Sequence, residues 1–189
     1  MGEHHQRILG MLADRLRGVA SWSRTECPFC ASGRVDLATV EGDELCGYEI
    51  KSDADSLGRL RPPAGNQIAE YGDAFDRVVL VCGPRHRAAV EALVPSWWGV
   101  WVASQDALCV TREAQRNPSD ARRRLAGLLW TTEARALASA HGIARGAKTK
   151  YELVRRVSEL DEAQLREALL RGLRSRRWSG VAKRTRVLL

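Results

Sequence analysis

The chain has 189 residues, a net charge of +7 and a hydrophobic fraction of 44%, enough for one α/β core of about 100 to 120 residues with a small appendage. No apolar run approaches the roughly 18 residues that a bilayer span needs, and arginines and Asp14 interrupt the first sixteen residues, so neither a membrane span nor a secretory signal is expected and a cytoplasmic location is. Five cysteines, an odd number in such a chain, argue against a disulfide framework.

Along the chain, "HQRILGMLADRL" places Ile8, Leu9, Leu12 and Leu16 at helical spacing and predicts an amphipathic first helix. "GVASWSRTECPFCASG" follows, rich in small and turn-forming residues, and reads as irregular. "RVDLATV" and "ELCGYEIKS" flank "EGDE" and predict a β-hairpin with an acidic turn. Within the second strand, alternation sends Leu45, Gly47, Glu49 and Lys51 to one face and Cys46, Tyr48 and Ile50 to the other. An edge strand with a solvated Glu and Lys would also fit that pattern. After the "RPPAGN" breaker come a short helix in "QIAEYGDAF", a buried strand in "RVVLVCG", a helix in "RHRAAVEALV" and a closing strand pair in "WGVWVAS" and "ALCVTR". These elements predict a mixed sheet flanked by helices.

From about residue 120 the pattern is helical only, in "DARRRLAGLLW", "TEARALASAHG", "KTKYELVRRVSEL" and "DEAQLREALLRGLRSR". "NPSD" reads as a linker with Ser119 or Asp120 as an N-cap. The expected division is an α/β core over residues 1–116 and a small all-α unit over 117–189. Charge divides in the same way: residues 1–110 hold 11 Lys and Arg against 15 Asp and Glu, whereas residues 111–189 hold 19 against 8. A net +11 on the second part points to a polyanion partner, nucleic acid ahead of membrane.

Asp36 interrupts "RVDLATV" where strands favour apolar or β-branched residues. If the hairpin forms, Asp36 converges with Glu49 and Lys51 at one end of the sheet. Two carboxylates are hard ligands suited to Mg²⁺ or Mn²⁺, and a nearby lysine can orient water and stabilise charge growing on a phosphate. That is equipment for phosphodiester hydrolysis.

Asp36 followed by Glu49-Ile50-Lys51 resembles the motif of the PD-(D/E)XK nucleases, and Gln67-Ile68-Ala69-Glu70-Tyr71 resembles the Q-x-x-x-Y signature of their RecB-like branch. Residues 34–112 are also similar to a family of small bacterial proteins, some described as MmcB-like DNA-repair proteins, that share a GYEIKSD segment and a later "WWG". The resemblance implies a restriction-endonuclease-like fold and a metal-dependent nuclease cutting DNA in repair or in defence against foreign DNA. It assigns Asp36, Glu49 and the Ile50 carbonyl to Mg²⁺, with Mn²⁺ able to take the same place. Lys51 would position the attacking water, and Gln67 with Tyr71, one helical turn apart, would orient the phosphate or Lys51. Val35 stands where the family usually has proline. The acid that the first helix sometimes contributes has Glu3, Asp14 and Glu26 as candidates here.

Other features carry less. "CPFC", with Cys27 and Cys30, has the spacing of half a zinc site that Cys46 with His4, His5 or Cys82 would have to complete, and the lack of a second Cys-x-x-Cys disfavours zinc. Trp97, Trp98 and Trp101 could stack on bases, although strand alternation favours core packing, and His86 reads as a surface residue. "TEARALASAHGIARGAKTKYELVRRV" loosely resembles the SAP-type module, which would turn helix-start N–H groups, Lys148, Thr149 and Lys150 toward DNA phosphates. With about four phosphate contacts, through Lys148, Lys150, Arg155 and Arg156, the expected salt slope on duplex DNA is near −3.6. The rival readings are a catalytically silent nucleic-acid-binding module, a nuclease directed at RNA and, for the appendage, a packing unit with a solvated basic surface. DNA is the expected partner, and the sequence is compatible with a homodimer.

Overall fold

The computed structural model describes residues 2–29, 33–61 and 66–178, and the chain divides after Pro118 into an α/β unit and a helical unit that starts at Ser119. In the first unit α1 (Glu3–Leu16) precedes β1 (Ala20–Pro28), β2 (Arg34–Glu41) and β3 (Glu44–Lys51). Then come α2 (Gln67–Gly72), β4 (Arg77–Cys82), α3 (Arg87–Leu93), β5 (Gly99–Ala103) and β6 (Leu108–Arg112). The six strands lie in sequence order, antiparallel from β1 to β3, parallel from β3 to β5 and antiparallel again at β6. This is the mixed α/β sheet that the hydrophobic pattern predicts.

Period-two alternation in β3 decides what covers each face. Cys46, Tyr48 and Ile50 pack with Ile8, Leu9, Leu12 and Leu16 of α1. On the Glu49 face, Gly47 admits the Phe75 ring so closely that a Cβ would sit 2.8 Å from its carbons. Phe75 joins Tyr71 and Phe29 in one aromatic cluster, and Trp98 stacks on Tyr71 with centroids 5.7 Å apart. Asp76, fully buried, reinforces this side by accepting from the Leu45 N–H at 2.8 Å. Asn117 closes it, donating from Nδ2 to the carbonyls of Gly72 and Phe75. The "NPSD" stretch read as linker therefore begins with a structural latch.

Two expectations need correction. The stretch read as irregular contains β1, paired with β2 from Ala20 opposite Glu41 to Pro28 opposite Arg34. Its buried residues include Ser23, Arg24 and Thr25, so the strand has no apolar alternation to announce it, and ladder hydrogen bonds define it instead. His86 is buried, its Nε2 lying 2.9 Å from the Asp55 carbonyl oxygen. Asp55 in turn accepts from the N–H and the hydroxyl of Ser52, at 2.7 and 2.6 Å, while the Gly83 N–H donates to the Lys51 carbonyl at 2.9 Å. The backbone just after β3 is thus fixed from two sides.

The helical unit contains α4 (Ala121–Leu128), α5 (Thr131–Ala140), α6 (Lys150–Val157) and α7 (Glu162–Ser175). Asp120 caps α4 by accepting from the Arg122 N–H at 3.0 Å. Leu125, Leu129, Leu153, Val157, Leu165 and Leu169 form its fully buried core. Gly142 and Gly146 take left-handed φ values of 70° and 78° in the α5–α6 loop, where a side chain would be strained. No described helix is long and apolar enough to cross a membrane.

Candidate active site

The hairpin register, with Leu37 opposite Tyr48, carries Asp36 to the end of β2 that faces the E-x-K segment of β3. Its Oδ2 accepts from the Ile50 N–H at 2.7 Å. Glu49 is 4% exposed, and its carboxylate gathers three donors. Oε1 accepts from Lys51 Nζ at 2.6 Å and from Gln67 Nε2 at 2.8 Å, and Oε2 accepts from the Tyr71 hydroxyl. Gln67 also donates to the Tyr71 oxygen at 3.1 Å. The one-turn spacing of Gln67 and Tyr71 on α2 therefore delivers both side chains to the same carboxylate.

A Glu–Lys pair this deeply buried survives only when other hydrogen bonds offset the lost hydration. Gln67 and Tyr71 provide them. Burial, and the charge that Glu49 places beside the phenol, push Tyr71 well above its ordinary range, so it acts as a hydrogen-bond donor.

Asp36 is less well compensated. Burial raises its carboxyl well above the usual range, the charge of Glu49 raises it further, and the Ile50 N–H and Lys51 only partly oppose them. A second cluster meets at the same carboxylate. His5 Nε2 lies 3.6 Å from Asp36 Oδ1 and is buried with no hydrogen-bond partner. One ligand atom each from His5, Glu26 and Asp36 lie within 4.8 Å of one another. Burial holds His5 below its ordinary pKa, which favours the neutral imidazole that can bind a metal. Glu26 adopts φ 48°, an uncommon left-handed conformation for a residue with a side chain. A cramped pair of carboxylates beside an orphaned imidazole nitrogen suits a divalent cation, and the donors present therefore fit the metal that the motif implies.

The five residues expected from the motif thus meet: Asp36, Glu49, Lys51, Gln67 and Tyr71 lie on β2, β3 and α2 around one point. Of the three candidate acids, Glu26 joins the cluster, from β1 instead of from the helix. Asp14 instead pairs with Arg17 on an exposed surface, and Glu3 is exposed. His5, which the cysteine spacing offers only as a partner for zinc, stands three and four residues before Ile8 and Leu9. That spacing places it on the sheet-facing side of α1.

The cysteine stretch does something else. Phe29 of "CPFC" sits 5.1 Å from both Tyr71 and Phe75, measured between ring centroids. Cys27 is buried, while Cys30 lies outside the described residues. Burial pushes the Cys46 thiol up, and that of Cys82 up to about 11. Trp98 and Trp101 are buried in the core, as alternation favours.

In the helical unit the expected phosphate contacts separate into two kinds. Thr149 caps α6 by accepting from the Glu152 N–H at 3.2 Å, and Glu152 accepts from the N–H groups of Lys148 and Thr149 at 2.6 and 3.1 Å. Three of the N–H groups around the helix start, those of Lys148, Thr149 and Glu152, are thus already bonded within the chain. Arg156 donates from Nη1 to the carbonyls of Ile143 and Arg145, at 2.8 and 2.7 Å, and ties down the glycine loop. Lys148, Lys150 and Arg155 are exposed.

Comparison with known proteins adds three findings. A family model described as Bacteriophage P4 protein cII matches residues 29–182. Protein cII of Enterobacteria phage P4 is 38% identical over 95 residues, which cover 48% of this chain and 31% of that protein, so the similarity spans about a third of the relative's length. A solved protein of unknown function from Silicibacter pomeroyi superposes with a TM-score of 0.51 at 22% identity, covering 77% of this chain and 97% of that one, a likeness of fold alone.

Proposed function

We propose that this chain, which belongs to the Bacteriophage P4 protein cII family, is a metal-dependent nuclease that hydrolyses DNA phosphodiester bonds in the cytoplasm, in repair or in defence against foreign DNA. The observation that carries the reading is the buried Glu49–Lys51 pair, held by Gln67 and Tyr71 and set beside Asp36. Such clusters of buried charge are costly for stability and concentrate at functional sites.

Asp36, Glu49 and the Ile50 carbonyl would hold Mg²⁺ or Mn²⁺, with His5 and Glu26 as further donors on the Asp36 side. When bound, the cation supplies Lewis acidity toward a phosphate oxygen and lowers the pKa of water. Lys51 orients the attacking water and stabilises the charge that develops on the phosphate. Gln67 and Tyr71 act as positioning residues: by donating to Glu49 they fix its carboxylate and, through it, the Lys51 ammonium. The basic helical unit supplies affinity for the polyanion.

One observation favours a second reading. Glu49 already accepts from three donors, an arrangement that would also suit a catalytically silent nucleic-acid-binding module. Digestion of linear, circular, single-stranded and branched DNA, and of RNA, with Mg²⁺, Mn²⁺ or chelator separates the readings. Metal-dependent cutting of DNA that is lost in Lys51→Ala is the expected result. Binding without cutting supports the silent module, and cutting confined to RNA redirects the assignment.

A further inference from the structure

Among the described residues the large hydrophobics left exposed are Val19, Trp130 and Tyr151. Trp130 is covered in part by its own surroundings, since the Arg176 guanidinium lies 4.9 Å above its ring and Trp178 packs edge-on at 5.5 Å. Tyr151 is different. It is 76% exposed in the first turn of α6.

Helix geometry says what surrounds it. A position four after a residue shares its face, so the exposed Arg155 lies one turn along α6 from Tyr151, while the exposed Lys148 precedes the N-cap Thr149 in the segment that leads into the helix. Leu153 and Val157, both at 0% exposure, point the other way and hold α6 in the unit's core. The nearby Glu152 carboxylate is engaged by the Lys148 and Thr149 N–H groups. In chain order the exposed stripe thus runs cation, aromatic ring, cation, from the helix entry into α6, on a unit that carries 14 Lys and Arg against 7 Asp and Glu over residues 119–178.

We propose that this stripe is a stacking site for single-stranded nucleic acid, with Tyr151 lying on an unpaired base and Lys148 and Arg155 meeting the flanking phosphates. A ring offered outward between two cations matches the alternation of base and phosphate along a strand. In a duplex the bases are stacked on one another and only the phosphates remain within reach, so the tyrosine distinguishes the two forms. This deepens the nucleic-acid reading of the helical unit and does not depend on the catalytic one.

The test uses the full chain with chelator, so that nothing is cut, and follows the anisotropy of a labelled thymidine oligonucleotide and of a matched duplex. Tyr151→Ala weakens single-strand binding about tenfold, within the range of one lost base stack, and leaves duplex binding unchanged. Tyr151→Phe keeps single-strand affinity within about twofold, because the ring and not the hydroxyl does the stacking. Equal single-strand binding by Tyr151→Ala and the parent chain would overturn the proposal, as would an equal loss on duplex. A parent chain that binds neither probe would remove this inference together with the nucleic-acid reading. The metal-dependent digestion described above tests catalysis separately.

Discussion

The two units of the chain use charge in opposite ways. The α/β part, slightly acidic overall, concentrates a few charges where water is scarce: Glu49 and Lys51 have side chains only 5% and 10% exposed and bond to each other, and Glu49 accepts from two α2 side chains as well. The helical part is strongly basic, yet it uses several of its arginines as internal struts. Arg176 grips Glu133 at 2.7 Å and the Leu128 carbonyl at 2.8 Å, Arg166 pairs with Glu162 at 2.7 Å, and Arg156 holds the glycine loop. A net charge therefore overstates the number of groups that can reach a ligand. A mildly acidic region can hold the reactive charges while a basic region uses many of its own for folding.

The widest separation between the units should come from the metal. Chelation, or Asp36→Asn in the full chain, is expected to reduce DNA cleavage to background while oligonucleotide binding by the helical unit persists. Cleavage rate and anisotropy measured on the same preparation check this, and parallel loss of both would erase the division of labour. Lys51→Ala comes next, with a rate loss of about 10²- to 10³-fold and retained Mn²⁺ binding by calorimetry. Full activity would remove Lys51 from the mechanism. Tyr71→Phe is milder. It keeps the ring that packs on Phe75 and Trp98, each 5.7 Å away between centroids, and loses only the hydroxyl that fixes Glu49. A loss of about 10- to 100-fold is the scale for a group that positions another, and a Mn²⁺ affinity that falls with the rate would separate this role from simple packing.

How much of this was legible depended on how local each signal was. The hairpin, the shared face of Glu49 and Lys51, and the delivery of Gln67 and Tyr71 to one point follow from periods of 2 and 3.6 and could be read from the residues. β1 could not, because Ser23, Arg24 and Thr25 are polar residues buried in a strand that its pairing with β2 defines. The meeting of His5, Glu26 and Asp36 joins three successive elements, and it takes both the β1–β2 register and the packing of α1 on the sheet to bring them together. The helical unit shows the reverse case. Thr149 and Glu152 carry the spacing of a capping box, a signal present in the sequence, and in the fold it engages the Thr149 and Glu152 N–H groups, part of the set that the resemblance had assigned to phosphates.

The finest test of the comparison sits on neighbouring residues. Arg155 is exposed beside Tyr151, whereas Arg156 donates to the Ile143 and Arg145 carbonyls. A count based on sequence makes them equivalent phosphate contacts. With Arg156 removed from the set, Lys148, Lys150 and Arg155 leave three groups. They imply a slope of log K against log[salt] near −2.7 on duplex and about −2.1 on single strands, in place of the −3.6 expected for four contacts on duplex. Arg155→Ala should then flatten the single-strand slope by about 0.7 and change stability by no more than about 0.5 kcal/mol, as for other surface substitutions. Arg156→Ala should do the opposite, leaving the slope in place while costing about 1 to 3 kcal/mol through the lost charge-assisted bonds to the loop. Binding titrations at several salt concentrations and urea unfolding of both variants provide the two readouts. If Arg156→Ala flattened the slope as much as Arg155→Ala, the strut would also be a ligand contact, and the contrast between spent and available charge would fail where it is sharpest.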